Sequence, residues 1–296
     1  MIRLLTLSLT LISLTPQTKY ARPELLVETD WLAAHINDAN VRVVDMRTRG
    51  FETSHIPRAM LLANDAIKVQ ANAPTFLPTV EQFTKTLEGL GITSKTRVVV
   101  YDDRGGIYAA RLWFVLNAFG HTNVALLNGG WTKWMAENRE TSNAVIKIEP
   151  VPYGAKLAVI PHWVATAADV VAVIDKPGSK IVDARTPNEI AGTDLRGIKR
   201  GGAIPSSVPV YWEDALNTTT RAFKSQDEIA KLWSDKGIGA ADDVITYCQV
   251  GMRASVDVFT LALSGHDLKK MRVYYGSWEE WGNRDDLPII KKGPRP

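Results

Sequence analysis

Val244-Ile245-Thr246-Tyr247-Cys248-Gln249-Val250-Gly251-Met252-Arg253-Ala254-Ser255 holds the only cysteine of the chain. Val244, Ile245 and Thr246 form a β-branched run, a short loop with one glycine follows, and Ala254, Val258, Leu261 and Ala262 continue at helical spacing. The stretch therefore reads as strand, loop and helix, with the thiol at the turn. Backbone N–H groups of such a loop and of the first helical turn converge on one point, where the helix dipole also favours negative charge. Arg253 closes the loop with a full positive charge, and a thiolate suits that point. A lone cysteine ending a core strand is otherwise an ordinary small hydrophobe. The polar, glycine-containing loop and its arginine argue for a nucleophile instead.

Working outward, the same pattern occurs twice, about 140 residues apart. Val43-Val44-Asp45-Met46-Arg47 matches Ile181-Val182-Asp183-Ala184-Arg185, and each is followed by an Ile-Pro turn, Ile56-Pro57 and Ile204-Pro205. Arg97–Asp102 matches Asp243–Cys248, and Asn128-Gly129-Gly130-Trp131 matches Tyr275-Gly276-Ser277-Trp278. Each half alternates short β-branched strands with helical segments such as 79–90 and 109–119, the pattern of an α/β fold with a parallel sheet flanked by helices. The halves differ at one decisive place. Asp102 stands where the second half has Cys248, so the first half is expected to be catalytically silent.

Loop length separates two chemistries. A cysteine phosphatase of this kind wraps a phosphate with C-x5-R, whereas Cys248 to Arg253 is C-x4-R. The shorter loop leaves room for one sulfur atom on the thiolate. With His55-Ile56-Pro57-Arg58-Ala59 and Gly276-Ser277-Trp278-Glu279-Glu280-Trp281 beside that loop, residues 23–285 resemble the rhodanese family, specifically the tandem-domain thiosulfate and 3-mercaptopyruvate sulfurtransferases. The resemblance implies two rhodanese-like domains, 23–137 and 160–285, joined by a linker over 138–159. It also implies a first domain that forms one wall of a cleft over the Cys248 loop.

The resemblance implies sulfur transfer through a Cys248 persulfide. Arg253 is expected to orient the donor oxyanions, and the N–H groups of Gln249, Val250, Gly251, Met252 and Arg253 to cradle the terminal sulfur. Gln249 and the cationic loop look more like the thiosulfate type than the 3-mercaptopyruvate type. A non-enzymatic persulfide carrier is the third reading. Three departures stand out: Glu189 occupies the place of a substrate arginine, and Arg58 and Ser206 replace the usual glycine after Ile-Pro. Asp45 and Asp183 each precede an arginine by two residues, and because the silent half keeps the pair, a structural ion pair is the better reading. Arg185, in the thiol-bearing half, is retained as a substrate-binding candidate.

Composition bounds the rest. The 296 residues are 45% apolar with net charge +3, without a run of like charges, so no footprint for nucleic acid is visible. One cysteine excludes intramolecular disulfides and Cys-based zinc sites, and the five histidines lack ligand spacing, so neither metal nor cofactor is expected. Arg3 followed by the uncharged stretch 4–14 is too short to span a membrane but suits a secretory signal over 1–21. That leader would place a monomer in the periplasm or outside the cell, and without it the chain would stay in the cytoplasm. The expected partners are a small sulfur donor and a thiol or cyanide acceptor.

Overall fold

The computed structural model describes residues 19–67 and 77–291. The first half runs β1 (Leu26–Val27), α1 (Thr29–His35), β2 (Val41–Asp45), β3 (Met60–Leu61), α2 (Val80–Gly89), β4 (Arg97–Tyr101), α3 (Ile107–Ala118), β5 (Val124–Leu127) and α4 (Gly130–Ala136). The second half runs β6 (Val164–Ala165), α5 (Ala167–Val171), β7 (Ser179–Asp183), α6 (Pro187–Ala191), β8 (Val208–Pro209), α7 (Gln226–Asp235), β9 (Asp243–Tyr247), α8 (Met252–Leu263), β10 (Met271–Tyr274) and α9 (Ser277–Trp281). All pairings within the two sheets are parallel. Strand orders are β1-β5-β4-β2-β3 and β6-β10-β9-β7-β8, the same arrangement position for position. The α/β fold with two tandem domains is as the repeat requires. Most of the expected leader lies outside the described residues.

The central strands are continuous apolar runs because helices cover both faces of each sheet. Val98, Val99 and Val100 are all buried, as are Val244, Ile245 and Thr246. Helix starts are set locally by capping boxes at Thr79–Gln82, Thr166–Asp169, Thr186–Glu189 and Ser225–Glu228. The helices after the two loops of interest start differently, from left-handed glycines, Gly106 at φ 89° and Gly251 at φ 80°.

The two halves meet along α3 and α8. Every residue of α3 from Ala109 to Ala118 is buried, as for a helix covered on all sides. One side faces its own sheet and the other faces the second half. Trp113 packs edge-on against Phe259 of α8, with ring centroids 5.2 Å apart, and against Trp163 at 5.7 Å. The stretch expected to link the domains runs along the first half. Ser142 pairs with His55, and the Tyr153 carbonyl accepts from the Ser94 N–H.

The two Ile-Pro turns explain the missing glycines. Arg58 has φ 61° and Ser206 has φ 58°, in the left-handed region where a Cβ costs roughly 1–2 kcal/mol. Ser206 has a use for its side chain, since its Oγ accepts the Asp175 N–H at 3.1 Å. Arg58 is exposed. Arg58→Gly is therefore expected to stabilise the chain by about 0.5–1 kcal/mol once the greater unfolded entropy of glycine is subtracted. Chemical denaturation of the two proteins checks this, and a less stable variant would contradict it.

Candidate active site

Cys248 sits at the carboxyl end of the central strand β9, fully buried. Its backbone is pinned from the loop after β10. The Cys248 N–H donates to Ser277 Oγ at 3.2 Å, the Ser277 hydroxyl donates to the Tyr274 carbonyl at 2.8 Å, and the Trp278 N–H donates to the Cys248 carbonyl at 2.9 Å. The Glu279 N–H donates to the Gln249 carbonyl at 3.0 Å. Ser277 holds φ 50°, where the first half has Gly130 at φ 51°. A strained non-glycine residue is kept where its hydroxyl braces the thiol loop.

The first half shows what such a loop binds. Asp102 follows β4 as Cys248 follows β9, and its carboxylate is buried in a ring of backbone donors. Oδ1 accepts from Arg104 N–H at 2.8 Å and Gly106 N–H at 2.9 Å, and Oδ2 from Tyr108 N–H at 2.8 Å and Ala109 N–H at 3.0 Å. Aligned on the left-handed cap glycines, Gly106 matches Gly251, Tyr108 matches Arg253 and Ala109 matches Ala254. The Asp102 loop is one residue longer than the Cys248 loop. The Trp131 N–H donates to the Asp102 carbonyl at 2.9 Å, as Trp278 does to Cys248.

Arg253 was expected at the donor. Instead its Nη1 and Nη2 donate to Glu189 Oε2 and Oε1 at 2.6 and 2.7 Å, forming a side-by-side pair that is largely buried. Glu189 is both the acidic member of the α6 capping box and the partner of the loop arginine. Burial alone would raise its pKa, but the hydrogen bonds and charge of Arg253 win and lower it to about 2. The unexpected acid at position 189 thus neutralises the cation of the thiol loop.

Arg185, the substrate-binding candidate of the second half, is engaged by the framework. Its Nε and Nη2 donate to Asp183 at 2.9 and 2.7 Å, and Nη2 donates to the Gly202 carbonyl at 2.8 Å. Trp278 covers the guanidinium at 4.1 Å, and Tyr247 donates its hydroxyl to Asp183. The first half repeats this with Arg47, Asp45, the Ser54 carbonyl, Tyr101 and Trp131 at 4.0 Å. The paired tryptophans of the repeat are lids on paired ion pairs. Of the surface cations before the second Ile-Pro turn, Lys199 pairs with exposed Asp285, and Arg200 donates to the carbonyls of Trp281 and Leu287. Gln249 and Val250 are half-buried, and Met252 begins α8.

Two charged residues near the loop escaped the reading of the sequence. Asp257 of α8 is buried, and its Oδ2 lacks a hydrogen-bond partner. Burial first, and then the negative charges of Cys248, Asp183 and Asp214, hold its pKa well above the carboxylate range. Arg111 of α3 reaches the loop from the other half. It is 2% exposed, stacks on Tyr275 at 3.7 Å, and puts Nη1 3.2 Å from where a Cβ on Gly251 would lie. The available signal was a charge inside an otherwise apolar helical run.

Fold and site define a duplicated α/β protein in which the same strand–loop–helix turn carries a cysteine in one half and, in the other, a buried aspartate held by four backbone N–H groups. The chain belongs to the rhodanese family: the model of the rhodanese-like domain matches residues 28–137 and again 166–284. It is 35% identical over 284 residues to a thiosulfate sulfurtransferase of Corynebacterium glutamicum, covering 92% of each chain. It is 33% identical to the sulfur carrier protein TtuD of Thermus thermophilus, over 92% of this chain and 98% of that one. The wild-type structure of EanB superposes with a TM-score of 0.84 at 25% identity, over 92% of this chain and 70% of that one.

The Glu189–Arg253 pair makes stability depend on pH in a defined direction. The folded pKa of Glu189, about 2, lies below its ordinary 4.5, so the stabilisation is complete above pH 4.5 and is lost as pH falls toward 2. That difference corresponds to about 3 kcal/mol. Glu189→Gln is expected to be less stable than the wild type by roughly that amount at pH 7, with a gap that narrows between pH 4 and pH 2. Urea unfolding at several pH values measures the gap, and one that stays constant would contradict the pairing.

Proposed function

We propose that this protein is a sulfurtransferase that takes a sulfane sulfur from thiosulfate onto Cys248 and passes it to a thiophilic acceptor, cyanide or a thiol. The observation that carries this reading is the Asp102 carboxylate. A carboxyl group at that place draws four backbone N–H donors in the first half, and the matching loop of the second half begins with a cysteine. The terminal sulfur of a persulfide on Cys248 is the counterpart of the Asp102 carboxylate. The N–H groups of Gly251, Arg253 and Ala254 match three of its four donors, and Gln249, Val250 and Met252 complete the wall of the cradle. Arg253 keeps the loop in shape through Glu189 while its own N–H faces the sulfur.

The chemistry follows. The Cys248 thiolate attacks the outer sulfur of thiosulfate, its electron pair forms the new S–S bond, and the pair of the old S–S bond leaves on sulfite. The persulfide anion remains until cyanide attacks its terminal sulfur, leaving thiocyanate and the thiolate. The donor leaves before the acceptor reacts, so initial-rate lines are expected to be parallel in double-reciprocal plots.

Incubation with thiosulfate is expected to add about 32 Da, one sulfur atom, to the wild type and nothing to Cys248→Ser, with cyanide reversing the gain. Absence of the adduct on the wild type would overturn the reading. Delivery to a protein acceptor, the carrier alternative, is favoured by the likeness to TtuD. It is told apart by an adduct that forms normally but is not turned over by cyanide or small thiols. Mercaptopyruvate as the better donor would show as faster loading from that compound.

We also infer that the chain is exported as a monomer on the leader 1–21. The charge pattern of that segment supports export, and no described helix is long and apolar enough to cross a membrane. Cleavage after Ala21 gives up the bonds from Tyr20 to the Lys224 carbonyl and from the Ala21 N–H to Gln226. It leaves Arg22 to anchor the new end on the Ala262 and His266 carbonyls at 3.0 and 2.5 Å. Amino-terminal sequencing of protein from the exported fraction is expected to begin at Arg22, and an intact amino terminus there would count against processing.

A further inference from the structure

Among the described residues, the charges around the thiol loop leave the cation of Arg111 without a carboxylate partner. Arg253 is bound edge to edge by Glu189, and Arg185 by Asp183. Asp257 brings an acidic group to the same region. Arg111 comes from α3 of the half that lacks a thiol, is almost wholly buried, and has no hydrogen-bond partner at either Nε or Nη1. Leaving a buried guanidinium donor unmet is costly unless a ligand or reaction intermediate meets it. Beside it lie the Tyr275 ring and the thiol loop at Gly251.

We propose that Arg111 is a positioning residue for sulfur transfer: from across the domain interface it supplies the uncompensated positive charge that holds the anionic Cys248 persulfide and the incoming donor anion. This rests on the sulfurtransferase reading and assigns the silent half a direct part in it. Burial pulls the Arg111 pKa down to about 9, and the negative charge at Cys248 opposes that fall. The guanidinium is therefore still charged at neutral pH. Pre-placed charge in a dry site is the efficient way to stabilise an anion that appears only during reaction, because nothing must reorganise when it forms. The close approach also explains part of the need for glycine at 251. A side chain there would crowd Arg111 as well as strain the left-handed cap.

The test compares the full-length wild type with Arg111→Met and Arg111→Lys. Persulfide loading from thiosulfate is followed by intact mass, and thiocyanate formation by steady-state kinetics. Arg111→Met keeps the volume and apolar stacking of the side chain while removing its charge. It is expected to lose about 100-fold or more in kcat/KM for thiosulfate, within the range seen when one pre-placed donor to a reacting anion is removed. Arg111→Lys restores a positive charge and is expected to recover activity to within about tenfold of the wild type. A Met variant that keeps pace with the wild type overturns the proposal, and so do Met and Lys variants impaired alike, which is the mark of lost packing. Should Arg111→Met not fold, Arg111→Lys alone decides: folded and active supports the assignment, folded and as slow as 100-fold down overturns it. A wild type that takes up no sulfur removes the sulfurtransferase reading itself, a different outcome from one that loads sulfur without needing Arg111.

Discussion

A negative charge buried at the carboxyl end of a central strand has to be met by donors that are already in place, and both halves of this protein are arranged around that requirement. The strand delivers the charged group and a left-handed glycine turns the chain. The first turn of the following helix then presents N–H groups that have no partner within the helix. In the first half the group is the Asp102 carboxyl, whose pKa burial raises against the opposing pull of the backbone N–H groups, and which four of those donors meet. In the second half the corresponding position is a thiol, and in the sulfur transfer proposed above its charge moves outward when sulfur is added and back when it is removed. One architecture thus closes on its own carboxyl group in one copy and, on the proposed reading, leaves the same donors to a reacting sulfur in the other.

Small differences between the copies convert the first use into the second. The thiol loop is one residue shorter, which suits a single sulfur atom beyond the cysteine rather than a carboxylate folded back on its own backbone. Gly130 becomes Ser277 at almost the same left-handed φ, and the added hydroxyl ties the Cys248 N–H to the strand beside it. At Gly130 a Cβ would lie 2.3 Å from the Asp102 carbonyl oxygen, so the first half has no room for this brace. Glu189 and Arg253 add a buried ion pair beside the loop, whose geometry satisfies both partners. Such pairs owe their net value to geometry rather than to charge alone, and here the geometry fixes the direction of the loop.

The duplication, the parallel α/β architecture and the position of Cys248 were legible in the sequence because they depend on periodicity and on local turn chemistry. So was the ion pair shared by Asp45 and Arg47 with Asp183 and Arg185, since the silent half preserved it without a thiol. The partner of Arg253 was not legible. Glu189 is 64 residues away, and from the sequence it stood out only as a departure at the place of a substrate arginine. The pairing of that charge within the fold therefore could not be read from the loop itself. Arg111 was missed for the complementary reason. Ala109–Phe119 reads only as a helical segment, and the packing of α3 against α8 is what brings the Arg111 side chain to the loop of the other half.

That packing gives a physical reason for keeping a half that cannot carry sulfur. A single rhodanese-like domain would leave its thiol loop and the adjoining helix facing solvent on one side, where water screens every charge brought to the sulfur. Docking α3 onto α8 removes that water with apolar and aromatic surface, Trp113 against Phe259 and Phe114 against Tyr275. The same contact carries one arginine into the dry region. With Asp102 in place of a thiol, the first half commits the corresponding helix to this interface. A charge and a low-dielectric wall arrive on one helix, so the electrostatic setting of Cys248 is a property of the two domains together.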